Sequence, residues 1–140
     1  MQPFQASLRN NVTLFDPAVA DERIRTVFAE LGLEPWLCGL VDGLDTRLGA
    51  GGRGLSAGEA QLAALARVFL KNPGLVVLDE ASSRLDPLTE QLLERAVWRL
   101  LEGRTGVIIA HRLKTVERAD HLLILDEGGV WSLERGTRWN

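Results

Sequence analysis

The chain has 140 residues, 46% of them hydrophobic and 25% charged, with a formal net charge of −3. That balance suits one soluble globular domain or a large part of one, and it is too apolar for a disordered chain. The acidic pI near 5.4 leaves no basic footprint for nucleic acid, and a single cysteine, Cys38, excludes an internal disulfide or a cysteine-based metal cluster.

No apolar run approaches the roughly 18 residues of a membrane span, because Leu62 to Leu70 is broken by Arg67. Nor does a basic segment followed by an apolar core open the chain. A cytoplasmic protein is therefore expected, one that can still dock onto a membrane protein. Both ends read as abrupt, as if cut from a longer domain.

In chain order, Ile24, Val27, Phe28 and Leu31 fall at helical spacing between Ala20 and Leu33. Asp16-Pro17 supplies a cap and a first-turn proline ahead of them, and Gly32 stops the helix. Residues 34–41 form a short second helix, in which Cys38 within "PWLCGLV" reads as a small buried hydrophobe. The glycine-rich stretch up to Gly54 is a loop first and a ligand site second.

A helix then runs to about Leu70 with Leu62, Leu65, Ala66 and Phe69 on one face, and "KNPG" breaks it. "LVVLDE" has the continuous apolar run of a central parallel strand buried on both faces. Pro87 to Leu101 is an amphipathic helix with Leu88, Leu92, Val97 and Leu100 apolar, and Asp86 before Pro87 is its N-cap. "GVIIAH" is a second buried strand, "RLKTVERA" a short helix and "HLLILDEGG" a third strand. "VWSLERG" adds a last strand across a Gly128-Gly129 hairpin turn. Strand–helix–strand order with right-handed crossovers predicts a parallel α/β layer after a strand-free helical lobe. The division falls as 1–72 (helical) and 73–140 (α/β).

Chemistry concentrates at three places. Ser56-Ala57-Gly58-Glu59 opens a helix with no bulky shield, so it offers a hydroxyl and backbone N–H groups to an anion. Asp79 and Glu80 sit where a buried strand emerges, the edge at which ligands collect in open α/β sheets. There the first carboxylate can hold Mg²⁺ and the second polarise a water, or one of them merely caps the next helix. His111, also at a strand end, can donate to a phosphate or hold a carboxylate, though a lone histidine is more often structural. His121 lacks that context and reads as packing or surface.

"LSAGE", "LVVLDE", "ASSRLDP" and "IIAHRL", in that order, resemble the ATP-binding subunit of ABC transporters, and the resemblance extends from about Phe4 to Gly136. It implies an α/β fold, part of a P-loop NTPase (RecA-like) parallel sheet layer with the ABC α-helical subdomain. Leu55, Ser56, Ala57, Gly58 and Glu59 take the place of the signature motif, usually Leu-Ser-Gly-Gly-Gln. Asp79 matches the Walker B aspartate that holds Mg²⁺, Glu80 the catalytic base, Asp86 the D-loop aspartate and His111 the switch histidine. "FQASLRNNVTLF" looks like the segment after the Q-loop of exporter-type members.

Two positions depart from the pattern. Ala57 adds a methyl and Glu59 a negative charge where phosphate would approach. No G-x-x-x-x-G-K-[ST] loop occurs in the 140 residues. That loop, its lysine, the adenine-stacking aromatic and the Q-loop glutamine would all precede residue 1, with Gln2 just off the Q-loop position.

The resemblance thus implies MgATP bound and hydrolysed between two head-to-tail ATP-binding domains, coupled to transmembrane domains on the inner or plasma membrane. It also implies a chain inactive alone, with a sheet edge left open to association. Two alternatives stand beside it: a non-catalytic truncated module that lends only its signature, and a fragment of a DNA-repair-type ABC ATPase. The compact helical lobe and acidic charge argue against the second.

Overall fold

The computed structural model describes residues 4–49, 54–79, 85–110, 117–126 and 129–135. The chain divides into two compact units, Met1–Val76 with Ser83–Gly106, and Val77–Ser82 with Val107–Asn140. The predicted helix over "RLKTVERA" and most of the glycine-rich loop lie outside the described residues.

The first unit is helical. Its α1 (Leu8–Thr13) is held at its start by Ser7, whose Oγ accepts from the Asn10 amide at 3.2 Å. The sequence pattern leaves α1 unassigned, because six residues place only Leu8 and Val12 on one apolar face. Buried Asn11 fixes the approach to α1: its Oδ1 accepts from Phe4 N at 2.7 Å, and its Nδ2 donates to the Phe4 and Ser7 carbonyls at 3.0 Å each. No buried side-chain polar atom among the described residues lacks a partner, as a well-formed core requires.

α2 (Asp21–Glu30) carries Ile24, Val27 and Phe28 into the core, as the spacing predicts. Its cap is different from the prediction. The N-cap residue is Ala20, with no side-chain cap, whereas Asp16 Oδ1 accepts from the Ala18 amide at 2.9 Å. An aspartate before proline has closed its own turn instead of the helix four residues on. Gly32 does end α2, at φ +71°, with Gly32 N donating to Ala29 O and Leu33 N to Phe28 O. This is the Schellman arrangement, and it brings buried Leu33 against the last buried turn.

α3 (Glu34–Cys38) follows and buries Leu37. Cys38 is free and exposed, not buried as its apolar neighbours suggest. In so short a helix Leu37 takes the buried position and Cys38 is left at the surface. A 3-10 turn, Gly43–Asp45, then leads to buried Leu48.

α4 (Ala57–Lys71) is the hub: it packs on α1, α2 and α5 (Pro87–Leu101). Leu62, Leu65 and Ala66 are buried as predicted, with Ala63 beside them. On α5 the buried residues are Ala96 and Leu100, while Leu88, predicted on the apolar face, is exposed. Arg104 joins the far ends of both helices. Its guanidinium lies 4.8 Å over the Phe69 ring and donates to Asn72 Oδ1 and to the Leu100 carbonyl, a cation at two helix C-termini.

A charged clamp closes the outer side of this unit. Arg9 in α1 holds Asp21 of α2 in a two-pronged bond, Nε–Oδ1 and Nη2–Oδ2 both at 2.7 Å, and its Nη1 reaches Asp45. The Arg9 hydrogen bonds hold the Asp21 carboxyl below the usual carboxylate range. A depressed carboxylate adds stability above its unfolded pKa of about 3.9 and loses it as pH falls through the folded value. Melting followed by circular dichroism should therefore show the midpoint falling below about pH 4, and falling less steeply in Arg9→Met. Equal slopes would remove the clamp from the account.

β1 (Leu75–Asp79) and β2 (Thr105–Ile109), joined through α5, form a small two-stranded parallel sheet, consistent with the predicted strand–helix–strand unit. Burial on both faces is not observed. Val76 is buried, but Leu75 is 56% and Val77 63% exposed, and Val107 and Ile109 are exposed too. Burial on both faces needs a layer over each, and among the described residues one side of these strands has none.

In the second unit β3 (His121–Asp126) pairs antiparallel with β4 (Gly129–Arg135), from His121↔Arg135 to Asp126↔Gly129. β3 and β4 thus form the hairpin that the sequence predicts for "HLLILDEGG" and "VWSLERG", and among the described residues β3 pairs with no strand of the β1–β2 sheet. Gly129 lies in β4, opposite Asp126, and Gly128 of the predicted turn lies outside the described residues. Register shifts between Ile124 and Leu125, leaving Trp131 as the extra residue of a bulge. No described helix is long and apolar enough to cross a membrane.

Candidate functional site

The stretch Leu55–Glu59 forms the N-terminus of α4. Ser56 is its N-cap in extended backbone, with Oγ accepting from the Glu59 amide at 3.2 Å, while Glu59 Oε2 accepts from the Ser56 amide at 2.9 Å. This reciprocal capping box satisfies two amides. The N–H groups of Ala57 and Gly58, at the first two helical positions, are those for which helix geometry supplies no internal acceptor. Ala57 is exposed, and the Ser56 hydroxyl, already an acceptor, still has a proton to donate.

Gly58 is buried for a reason outside its own helix. A Cβ there would stand 2.4 Å from Thr89 Cγ2 and 3.0 Å from Leu85 Cδ2. Thr89 belongs to the first turn of α5, whose N-cap is Asp86, as predicted. Asp86 Oδ1 accepts from the Thr89 amide at 2.9 Å, and those Thr89 bonds hold the Asp86 carboxyl below the usual range. The structure therefore brings the signature-like stretch and Asp86 together, one helix start beside the other, with Gly58 and Thr89 as the contact.

The Glu59 carboxylate has a second partner. Trp36 Nε1, in α3, donates to Glu59 Oε1 at 3.1 Å, and the Trp36 ring stacks on Phe28 at 5.8 Å between centroids and 21° between planes. Among its partners, the charge that the sequence places near the anion site thus has an N–H group on each oxygen.

Asp79 ends β1 with its side chain exposed. It falls in the other compact unit from Asp86 and the α4 start. Glu80, Ser82 to Arg84 and His111 lie outside the described residues. His121 is exposed at the start of β3, in keeping with a surface role. No group of three histidine, cysteine or acidic side chains poised for a metal occurs among the described residues.

Two functional features escaped the sequence reading. The capping box was legible as Ser56-x-x-Glu59, a spacing that signals a helix start. The Trp36–Glu59 bond had no local signal, because it joins residues 23 apart.

The family model described as ABC transporter matches residues 2–83, more than half of the chain. Among curated proteins, the chain is 39% identical over 91% of its length to an uncharacterized ABC transporter ATP-binding protein of Bacillus subtilis, YwjA. It is 38% identical over 96% to a second such protein of the same organism, YfiC. It is 40% identical over 96% to an ATP-dependent lipid A-core flippase of Pseudomonas fluorescens. In each case it spans 22% of the relative's length. With the signature-like stretch opening a capped helix inside the matched region, this chain belongs to the ABC transporter family, in its ATP-binding part.

Proposed function

We propose that the chain contributes the signature side of an ATP site formed by two head-to-tail ATP-binding domains, whose closure and hydrolysis of MgATP power transport. The observation that carries this reading is the start of α4. A fifteen-residue helix presents a capped N-terminus whose Ala57 and Gly58 amides have no acceptor within the helix, beside the Ser56 hydroxyl. Such a terminus carries about half a positive elementary charge and complements a γ-phosphate held by the partner domain.

Within the same reading, Asp79 serves this chain's own Mg²⁺, Glu80 orients the attacking water, His111 contacts the γ-phosphate and Asp86 ties the two domains together. A carboxylate at Asp79 suits Mg²⁺, which usually takes one or two protein carboxylates and completes its shell with phosphate oxygens and water. The bound ion would neutralise charge developing on the transferred phosphoryl group. Residues 1–72 act as the helical subdomain and 73–140 as part of a P-loop NTPase core. Transmembrane partner domains would hold the assembly at the cytoplasmic face of a membrane, an arrangement supported by relatives named as export ATP-binding/permease proteins.

The reading also makes this chain inactive by itself, since none of its 140 residues forms the lysine-bearing phosphate loop. Titration with MgATP, followed by calorimetry or by tryptophan fluorescence, is expected to show no micromolar binding. A micromolar isotherm would mean that nucleotide is held in cis by residues other than those assigned here.

A further inference from the structure

We propose that Trp36 is a positioning residue for the signature turn, and that Glu59 and Trp36 are a matched pair. The inference rests on the phosphate-facing role given above to the α4 start, and adds a residue outside the motif. Glu59 stands where the family's signature usually has glutamine. Its carboxylate meets two donors: Ser56 N–H on Oε2 at 2.9 Å and Trp36 Nε1–H on Oε1 at 3.1 Å. A carboxylate accepts at both oxygens, whereas a glutamine amide accepts at one atom and donates at the other. Glutamine in the same pose would turn its NH₂ toward one of the two N–H groups. A second donor in α3 therefore selects glutamate.

The indole is itself fixed. Its ring lies stacked on Phe28, which is fully buried in α2, so the N–H at its edge has little freedom to follow a moving partner. The chain of contacts runs from the core through Phe28 and Trp36 to Glu59, and through Glu59 to the Ser56 amide. Ser56 and Glu59 form the capping box that sets the direction of the Ala57 and Gly58 amides. Trp36 acts on phosphate only through this turn.

Nucleotide-free measurements on the 140-residue chain test the pair, so their failure is separable from failure of the ATP reading, which the MgATP titration addresses. Trp36→Phe keeps a ring on Phe28 and removes the donor. Amide hydrogen exchange at Ser56 and Glu59 should then quicken on the order of fivefold, the equivalent of one ordinary hydrogen bond, with the melting midpoint nearly unchanged. Glu59→Gln alone should quicken it similarly and move the Trp36 indole N–H resonance upfield, as a charge-assisted bond is lost. In the Trp36→Phe background, Glu59→Gln should cost less than it does with Trp36 in place, because the indole no longer competes with Ser56 for the one acceptor of the amide. Unchanged exchange in Trp36→Phe, or equal effects of Glu59→Gln in both backgrounds, would overturn the pairing.

Discussion

Gly58→Ala lowers the melting midpoint of the chain, on the order of 5 °C, although glycine-to-alanine changes in helices ordinarily raise it. The ordinary gain is at most about 1 kcal/mol, from helix propensity and a less flexible unfolded chain. Against it stands a methyl group 2.4 Å from Thr89 Cγ2. Threonine is stiff at χ1, and this one sits in the first turn of α5, so it cannot swing aside without moving that turn. Overpacking of this kind costs about 1–3 kcal/mol, which exceeds the gain.

The test is a double-mutant cycle read by thermal and urea unfolding. Thr89→Ser removes the offending methyl and leaves the amide capped by Asp86, so Gly58→Ala should be tolerated in that background. A single variant as stable as the parent would show that the two helix starts are not in contact as described. In the family reading the consequence is functional. Parting the α4 and α5 starts shifts the phosphate-facing amides and the Asp86 cap together, which gives the second signature glycine a packing role besides its approach to phosphate.

The sequence made the long elements legible, because each carries its own signal over ten residues or more. α4 and α5 have apolar stripes bounded by Ser56, "KNPG" and Asp86-Pro87, and their observed limits agree with the expected ones. Where the signal was shared between neighbours, the reading failed. Asp16 could cap its own turn or the helix beyond, and the nearer donor won. Leu75 and Val77 read as doubly buried because apolar runs report hydrophobicity, not what covers them. The β3–β4 hairpin, by contrast, was legible, because two strand-like runs flank a glycine pair.

The candidate site shows the same division. Its motif residues were legible from order and spacing. The contacts that orient them, Gly58 with Thr89 and Glu59 with Trp36, are tertiary and leave no periodic trace. Phe28 shows how far such contacts reach, since a residue legible only as core turns out to support the signature turn.

Phe28→Ala should accordingly be the most damaging single substitution in the helical unit. The ring is fully buried on α2, and its backbone carbonyl also accepts the Leu33 amide that closes the helix. Removing a buried phenyl ring costs about 3–5 kcal/mol through lost burial and the cavity left behind. Native domains hold only about 5–15 kcal/mol in all, so the urea midpoint should fall by roughly a fifth or more. Phe28→Leu, which retains most of the volume, should cost well under half as much and keeps the comparison possible if the alanine variant does not fold. The two variants also separate burial from stacking. Leucine refills much of the cavity but gives the Trp36 indole no aromatic face, so exchange at Ser56 and Glu59 should quicken in Phe28→Leu more than its stability loss alone predicts. Exchange that follows global stability in proportion would mean that the ring's stacking contributes nothing to the turn, and that the core supports α4 through Leu62, Leu65 and Ala66 alone.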